Sequence, residues 1–499
     1  MFGSKKVEAG KKALVLFPDQ LFKIDDLPSV DRIYFIEDPL YFGNDKTYPY
    51  KIHGSKIIFL RASMQAYLGE ELWPAKLEID YMENHPDLWS GAAVARAALD
   101  GYETIYVFKP NDHRLKERLI KAEQELTDEY SVVWLDLPNF YLQTQEIREF
   151  FDAKKTDFKN FYQWQRERFN ILIGKDYKPV GGDWMLPEPK PVKQASVGMR
   201  SFGNNKYVAE AYHYVENRFS HYHNLPEDFI WPVTREEAGQ WHEDFLSTRL
   251  AGYAAGSHQL DLESSWSGRS LIGTLLESGL VYPQEALKLA TQNHSKKPGE
   301  LVDLELYVRN ILGWREYMRG YYLERCVDLP GKNELQASRV MTSAWIDAQT
   351  GLEPVDAIIR KARRTGYISS QERVVMASLM QIIGFHPQNV IAWFREMSID
   401  SSEWQLVTNV LAVTQFAGGK NLLTAQPVLL SSSQLVDMGA HADQTWQEIW
   451  DGLYSRFIDM HRTRLDKNVV KLHDALGEDI KRVLGYRAGD FLAEYTVRG

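Results

Sequence analysis

The sequence is poor in cysteine and has no long apolar run, and both absences limit what the chain can be. Cys326 is the only cysteine in 499 residues, which excludes an intrachain disulfide and any metal or cluster site built from several cysteines of one chain. The first apolar run, residues 13–17, is too short for a signal peptide or a membrane span. We therefore expect a cytoplasmic protein without a membrane segment.

An excess of positive charge and the common nucleotide-binding motifs are also absent. The formal net charge is −10, which argues against indiscriminate binding to nucleic acid but allows a local basic groove. The turn after the first predicted strand reads Pro18-Asp19-Gln20-Leu21 and lacks the GxGxxG of a dinucleotide site. The sequence also has no zinc motif, no P-loop and no GxSxG elbow.

The first part of the chain alternates between two kinds of apolar pattern. Short apolar runs at 13–17, 32–36, 56–60, 104–108 and 132–135 predict strands, and helical patterns at 61–72, 91–99 and 115–129 fall between the later ones. This alternation predicts a mostly parallel sheet covered on both faces, with ligands beyond the carboxyl ends of its strands.

The rest of the chain predicts a different architecture. Residues 174–206 are rich in Gly, Pro and Lys, as in a crossing connection, and nearly everything after 207 has helical period. We therefore expect an α/β + all-α protein with an α/β domain at 1–140, a helical segment and crossover at 141–206, and an all-helical domain at 207–499.

The most informative segment is 345–378, WIDAQTGLEPVDAIIRKARRTGYISSQERVVMAS. Gly and Pro predict a turn at 350–354, and Val355, Ile358 and Ile359 have the spacing of one buried helix face. Gly366 would end that helix, and Ser369 or Ser370 would cap the next. Without further information, these patterns predict a helix–turn–helix packed on a core.

The same segment resembles the flavin-domain segment of photolyases and cryptochromes. PVGGDW at 179–184, ILGWREYMRG at 311–320 and the Asp19-Gln20-Leu21 turn are similar to motifs of one branch, the bacterial iron–sulfur (6-4) photolyases and their cryptochrome-like relatives. Glu403-Trp404, Asn409-Val410 and Gln415-Phe416-Ala417 resemble the loop and helix that cover the flavin in that branch. The matches follow the same order over most of the chain.

The resemblance implies FAD in the helical domain and an antenna chromophore of unknown type in the α/β domain. The residues that it assigns to the flavin are Arg269, Ser270, Trp314, Arg315, Arg373, Asn409 and Gln415. Trp393 and Trp404 are candidates for electron relay, and the catalytic residues themselves stay unknown.

Each of these assignments has a structural alternative. Arg269 and Ser270 precede an apolar helix and suit a pyrophosphate, but they also suit an ordinary cap. Arg315 either faces a ligand or forms an internal ion pair, with Glu316 expected to point elsewhere on the helix. In a chain with 14 tryptophans, Trp393 and Trp404 are also ordinary core residues.

The sequence also departs from the branch that it resembles. The four cysteines that hold a 4Fe–4S cluster in that branch are missing: Pro354 and Ala442 stand at two of the positions, and the loop with the others is absent between Met438 and Trp450. We therefore expect no iron–sulfur cluster and no other metal.

Four further departures concern the flavin itself. Ser369 and Ser370 replace paired histidines, Gly418 replaces an acidic residue, and Arg269 replaces a histidine. Residues 427–433 lack the Tyr and Asn expected there. Because all four changes affect one ligand, the sequence leaves FAD binding open.

A dense basic run is the candidate DNA contact. Arg360, Lys361, Arg363 and Arg364 can neutralise phosphates, and the alternative is a solvated helix face. With Arg319 they form the predicted DNA-binding set, and the resemblance implies UV-damaged DNA as the partner.

Three functions follow from these observations. The first is light-driven repair of pyrimidine lesions by electron transfer from FAD, which would make the protein a carbon–carbon lyase. The second is a cryptochrome-like sensor. The third is a photolyase-derived protein that has lost FAD or repair and binds another ligand, nucleic acid or a protein. A U-shaped cavity lined by Arg269, Ser270, Arg315 and Arg373 would favour FAD, and side chains that fill this place would favour the third function.

Overall fold

Five parallel strands form the sheet predicted for the first part of the chain. In the computed structural model, which describes residues 10–154, 156–190, 192, 198–219, 225–227, 229–264, 266, 268–294 and 298–498, they are β1 (Lys12–Leu16), β2 (Arg32–Ile36), β3 (Glu78–Met82), β4 (Thr104–Phe108) and β5 (Ser131–Leu135). Their order is β3-β2-β1-β4-β5. The order reverses between β1 and β4, and a crevice opens at the carboxyl ends of the strands at such a point.

Four of the five strands were predicted, and the fold class, α/β + all-α, is confirmed. The strand predicted at 56–60 is wrong, because these residues lie in the helix Gly54–Tyr67, which the His53 side chain caps at Ser55 N. Nearly every residue of that helix is buried, so apolar residues occur on all its sides and their spacing shows no helical period. The third strand is instead β3, which lies at the sheet edge and carries Glu78 and Asp80.

Short helices cover the sheet and lead out of it. They are α1 (Pro39–Phe42), α2 (Gly54–Tyr67), α3 (Ala92–Leu99), α4 (His113–Gln124), α5 (Thr144–Phe151) and α6 (Phe158–Phe169), with a 3₁₀ turn at Ile24–Asp26 and a π-helical turn at Leu68–Leu72. Residues 155, 191 and 193–197 of the predicted crossover lie outside the described residues.

The second part of the chain is helical. Its helices are α7 (Lys206–Arg218), α8 (Arg235–Thr248), α9 (Tyr253–Gly256), α10 (Gly273–Ser278), α11 (Pro283–His294), α12 (Pro298–Val308), α13 (Glu316–Tyr321), α14 (Ala344–Asp347), α15 (Glu353–Thr365), α16 (Ser370–Ile383), α17 (Pro387–Met397), α18 (Glu403–Leu406), α19 (Ser432–Asp437), α20 (Gln444–His461), α21 (Lys467–Asp474) and α22 (Glu478–Tyr495). Three π-helical segments, Arg309–Arg315, Tyr322–Cys326 and Val407–Thr414, and 3₁₀ turns at Leu329–Gly331 and Arg462–Arg464 join some of them. A two-stranded antiparallel ribbon pairs β6 (Arg339–Met341) with β7 (Thr496–Arg498). The domain boundaries at 140 and 207 stay a prediction.

The apolar core is shared between the two parts. Leu14, Leu16, Ile33 and Phe35 on one face of the sheet belong to the same buried cluster as the helices of the second part. The other face of the sheet packs with α3 and α4 in a smaller cluster. Among the residues that the structure describes, no helix is both long and apolar enough to cross a membrane.

Gly366 ends α15 as predicted, and its conformation allows a test of the fold. Its φ is +70°, and a Cβ added there would lie 2.8 Å from His53 Nδ1 and 2.9 Å from Ser55 Oγ, on α2 and its cap. We expect Gly366→Val to lower the free energy of unfolding by more than about 1 kcal/mol, through backbone strain and this clash together.

Gly384→Val is the matched control for this prediction. Gly384 also ends a helix with positive φ, +86°, but a Cβ there would meet nothing within 4 Å. Urea unfolding of both variants should show the larger loss for Gly366→Val, and equal losses would contradict the tight contact between α15 and α2.

Candidate functional site

Arg269 and Ser270, the predicted pyrophosphate contacts, are engaged by the protein itself. The Arg269 guanidinium donates to Ser257 O at 2.8 Å and to Gln259 O at 2.9 Å. The Ser270 carbonyl accepts from Trp241 Nε1 at 3.1 Å. Helix α10 begins only at Gly273, so its first amides do not directly follow Ser270. Arg269 is thus held by main-chain carbonyls, and its role at a pyrophosphate stays a prediction.

Arg315 is buried in an internal network. Its guanidinium donates to Asn139 O at 3.0 Å and Leu276 O at 3.3 Å, and it lies 3.7 Å from the centre of the Phe140 ring. Its Nη1 also contacts Glu316 Oε1 at 3.4 Å. Burial lowers the pKa of Arg315 and raises that of Glu316, because both charges have left water.

The expectation that Glu316 points away from Arg315 is wrong. Arg315 is the last residue of the π-helical segment Arg309–Arg315, and Glu316 begins α13. A π-helical turn holds more residues than an α-helical turn, so side-chain directions deduced from the α-helical period do not apply across it. The carboxylate is buried and also accepts from Tyr141 N at 3.0 Å.

The remaining flavin candidates bind mainly to each other or to the main chain. Trp314 Nε1 donates to Asn409 Oδ1 at 3.1 Å, and Asn409 Nδ2 donates to the carbonyl of the residue four positions earlier at 2.9 Å. Gln415 Nε2 donates to Ala377 O at 2.6 Å. Arg373 donates to Asp400 O at 3.4 Å and lies 3.8 Å from the Asp400 carboxylate, and its Nε is buried without a partner.

The two relay candidates are core residues with satisfied indoles. Trp393 is 2% exposed and donates to Trp345 O at 2.8 Å, while Trp404 is 3% exposed and donates to Glu277 Oε1 at 2.8 Å. Their role in electron relay stays a prediction.

Four of the five DNA-binding candidates line one open cleft. Arg360, Lys361, Arg363 and Arg364 line a cleft of about 840 Å³, together with the acidic Glu227, Asp261, Glu263 and Glu353. Arg360 pairs with Glu353 at 2.7 Å, and Lys361 is buried against Glu372. The cleft therefore presents both signs of charge. Pro354, at one of the positions where the resemblance places a cluster cysteine, lies on its wall.

Arg319, the fifth DNA-binding candidate, lies inside the protein. It is 1% exposed, and it donates to Asn111 Oδ1 and to Leu142 O, both at 2.8 Å. Burial lowers its pKa to about 10. A guanidinium enclosed in this way cannot reach a phosphate at the surface.

The lone cysteine and the titratable groups show no metal site among the described residues. Cys326 is buried, and burial raises the pKa of its thiol to about 12. In the ranges that the structure describes, no three His, Cys, Asp or Glu side chains group as metal ligands would.

A cavity between the sheet and the helical part was not predicted as a site. It has a volume of about 70 Å³ and lies beyond the carboxyl ends of β1, β2 and β4. Its ionisable and hydroxyl side chains are Asp19, Tyr41, Tyr50, Lys56, Asp112, Arg114, Thr274, Glu277, Ser278, Arg395, Asp400, Ser401, Ser402 and Glu403. We call it the interdomain cavity. The sequence did contain one signal for this cavity. Asp19 and Asp112 shortly follow β1 and β4, the two strands that flank the reversal of strand order.

Burial shifts the titration of the groups in the interdomain cavity. It raises the pKa of Asp19 from 3.8 to about 7, with the Glu277 carboxylate adding to the rise. It also raises the pKa of Glu277 and lowers that of Lys56 from 10.5 to about 8. These shifts follow from charged groups held away from bulk water.

Several acceptors in the interdomain cavity lack a protein partner. Asp19 Oδ1, Glu277 Oε2 and Ser402 Oγ are buried and unbonded, although buried polar atoms are usually hydrogen-bonded. By contrast, Arg114 is paired with Asp112 at 2.6 Å and with Glu403 at 3.2 Å. The three atoms without a hydrogen-bond partner are therefore all oxygens, and two of them belong to carboxyl groups.

The Asp19 shift predicts a pH dependence of stability. Because its folded pKa of about 7 exceeds 3.8, the folded state holds the proton more tightly, so stability falls as pH rises from about 4 to 7. We expect Asp19→Asn to remove this fall, so that the variant gains stability relative to wild type across that window. Urea unfolding at several pH values measures it, with the exposed Asp128→Asn as control. A constant difference between Asp19→Asn and wild type would contradict the shift.

The architecture is a five-stranded parallel sheet joined to a helical second part, which is the photolyase/cryptochrome fold. The family described as deoxyribodipyrimidine photo-lyase-related protein matches residues 14–231, and the FAD binding domain of DNA photolyase matches residues 300–437. The chain belongs to the cryptochrome/photolyase superfamily.

Individual relatives are distant but match along most of the chain. A (6-4) photolyase of Agrobacterium fabrum is 22% identical over 468 residues, which cover 88% of this chain and 91% of that protein. A class III photolyase from Agrobacterium tumefaciens superposes with a TM-score of 0.59 at 15% identity, covering 98% of each chain. A cryptochrome from Synechocystis superposes with a TM-score of 0.57 at 14% identity, covering 97% of this chain and 99% of that one.

The match of residues 300–437 to the FAD binding domain of DNA photolyase supports FAD as the cofactor, while several of its predicted contacts are bonded within the protein in this structure. The guanidinium Nη donors of Arg269 and Arg315 and the amide of Gln415 are bonded chiefly to main-chain carbonyls.

Proposed function

We propose that this superfamily member works as a binding protein, with a small organic cation held in the interdomain cavity and without light-driven electron transfer from FAD. The observation that carries the proposal is the contrast between two places. The arginines expected to hold FAD are bonded to the protein, whereas carboxylate oxygens in the interdomain cavity are buried and unbonded.

Charge favours a cation as the ligand. Five carboxyl groups line the interdomain cavity, Asp19, Asp112, Glu277, Asp400 and Glu403, against three cationic side chains, Lys56, Arg114 and Arg395. A bound ammonium or guanidinium group would donate to the unbonded oxygens and would favour the ionised forms of Asp19 and Glu277. At about 70 Å³, the cavity has room for a molecule of only a few heavy atoms.

The test is to identify what the purified protein carries. The protein is denatured, and the released small molecules are separated and weighed by mass spectrometry. We expect no flavin and an amine or guanidine compound in a stoichiometric amount. Ser402→Phe, which places a ring in the interdomain cavity, should lose that compound, whereas Ser247→Phe on the exposed side of α8 should keep it.

The outcomes separate the proposal from its competitor. Release of stoichiometric FAD would overturn the FAD-free part of the proposal. A compound that Ser402→Phe retains would overturn the assignment to the interdomain cavity, as would the absence of any compound together with no stabilisation by added small amines.

A second candidate function is FAD-dependent repair of UV-damaged DNA. It is favoured by the match of 300–437 to the FAD binding domain of DNA photolyase and by the similarity to the (6-4) photolyase of Agrobacterium fabrum. Backbone strain also lies next to two candidate residues: Leu271 and Phe416, directly after Ser270 and Gln415, have φ of +53° and +49°. In this case DNA would lie along the cleft lined by Arg360, Lys361, Arg363 and Arg364.

A repair assay under blue light tests the second candidate directly. It needs flavin in the purified protein and salt-dependent binding to lesion-bearing DNA that Arg363→Glu weakens. Flavin without repair would instead favour the cryptochrome-like sensor, and its protein partner would be the next question.

A further inference from the structure

Three exposed apolar side chains share one face of α22. They are Ile480, Val483 and Tyr486, each three residues after the one before. Val483 is 50% exposed and Tyr486 is 70% exposed, although large apolar side chains are ordinarily scattered singly on a surface. Residues three apart are neighbours on a helix, so these three form one apolar strip.

The opposite face of α22 is already used. Ala488, Phe491 and Leu492 are buried, and α22 packs on α20 so closely that a Cβ on Gly452 would meet Leu484 O. The helix is therefore fixed to the domain by one side and presents the apolar strip on another. No described residue covers Val483 or Tyr486 to any large extent.

We propose that this face binds a second copy of the same chain, with the two α22 helices antiparallel about a two-fold axis at Val483. Charge complementarity selects this occupant. In that arrangement Val483 meets itself, Ile480 meets Tyr486 of the other copy, and Asp479 meets Arg487 of the other copy. Two-fold symmetry makes each contact twice.

The charged residues are free to change partners. Asp479 pairs with Arg482 at 2.9 Å and Arg487 pairs with Glu448 at 3.4 Å, but Asp479 is 90% exposed and Arg487 is 57% exposed. Ion pairs so open to water contribute little, so an exchange costs little. A random apolar patch would have no reason to carry opposite charges at equal distances on both sides of its centre.

The size of the surface predicts a weak dimer. The 18 residues of α22 span about 27 Å. Stable interfaces usually bury about 800 Å² on each partner, and one helix face with its flanks falls at or below that value. We expect a dissociation constant on the order of micromolar. This inference is independent of the ligand proposed above.

Sedimentation velocity of the full chain, at concentrations from about 1 to 100 µM, tests the dimer. Wild type should shift from monomer to dimer, and Val483→Asp should stay monomeric because two carboxylates would meet at the axis. Leu99→Asp, at an exposed apolar residue far along the chain in α3, should dimerise as wild type does.

A charge exchange tests the antiparallel register. Asp479→Arg alone places like charges together and should weaken the dimer at least tenfold, and the double variant with Arg487→Asp should restore it. Circular dichroism of each variant establishes that it is folded. A wild type that remains monomeric, a dimer unaffected by Val483→Asp, or a double variant no stronger than Asp479→Arg would each overturn the proposal.

Discussion

Replacing Arg315 by alanine should lower the free energy of unfolding by about 3–5 kcal/mol, the range for breaking a buried ion pair on one side. Arg315 is 8% exposed, and its removal would leave the fully buried Glu316 carboxylate with the charge of Arg319 but not that of Arg315 nearby. It would also remove the Arg315 donor to Asn139 O, one of two donors to Leu276 O, and one of two guanidinium groups that lie over the Phe140 ring. Urea unfolding monitored by tryptophan fluorescence measures the loss.

Two further variants separate charge from packing at this position. Arg315→Lys keeps the positive charge but not the planar, forked set of N–H donors of a guanidinium. We therefore expect its free energy of unfolding to fall less than that of Arg315→Ala. Arg315→Met with Glu316→Gln removes both charges and should recover part of the stability lost in Arg315→Ala. If Arg315→Ala cost less than about 1 kcal/mol, the internal network would not be structural. Release of flavin by Arg315→Ala, with little loss of stability, would favour the FAD-dependent function.

Replacing Arg61 by alanine should have an effect of similar size, about 3–5 kcal/mol, at another contact between the two parts of the chain. Arg61 on α2 binds Glu37 at 2.7 Å and Glu210 of α7 at 2.7 Å, and its guanidinium lies 4.3 Å from the Tyr214 ring centre. Glu37 is fully buried, and it would keep three neutral donors, the hydroxyls of Tyr81 and Tyr214 and the Asn84 amide, but lose its cation.

Glu210→Gln is the matched control for Arg61→Ala. Glu210 is 45% exposed, and exposed pairs contribute about 0–1 kcal/mol, so this variant should remain close to wild type in thermal or urea unfolding. If Glu210→Gln and Arg61→Ala lost similar amounts of unfolding free energy, the exposed Arg61–Glu210 pair would determine the effect, and not the burial of Glu37.

The sequence predicted the segments whose signals are local. The turn at 350–354, the end of α15 at Gly366 and the cap at Ser369 follow from Gly, Pro and Ser at defined positions, and the structure confirms them. Helix α2 was mistaken for a strand because burial on all sides removes the period that distinguishes the two. The sheet edge β3 was missed because its alternation includes two acidic residues.

The site was harder to predict than the fold. The contact of Arg315 with Glu316 occurs where a π-helical segment changes to α13, and no residue pattern predicts that change. The interdomain cavity joins residues as distant in sequence as Asp19, Glu277 and Ser402, so only the packing of two domains creates it. Resemblance to a family predicted the residue types of a flavin site but not their bonding partners.

The ribbon of β6 and β7 affects how the protein is made. Arg339–Met341 pairs with Thr496–Arg498, and the indole of the fully buried Trp345 donates to Tyr495 O at 3.0 Å across 150 residues. During synthesis this indole and the β6 strand cannot pair until Tyr495 and β7 have been translated. These residues must also have left the exit tunnel of the ribosome. The helical domain would therefore complete its fold late, while the α/β sheet can form as it emerges. We therefore expect the second part of the chain, and not the sheet, to determine how strongly expression depends on chaperones.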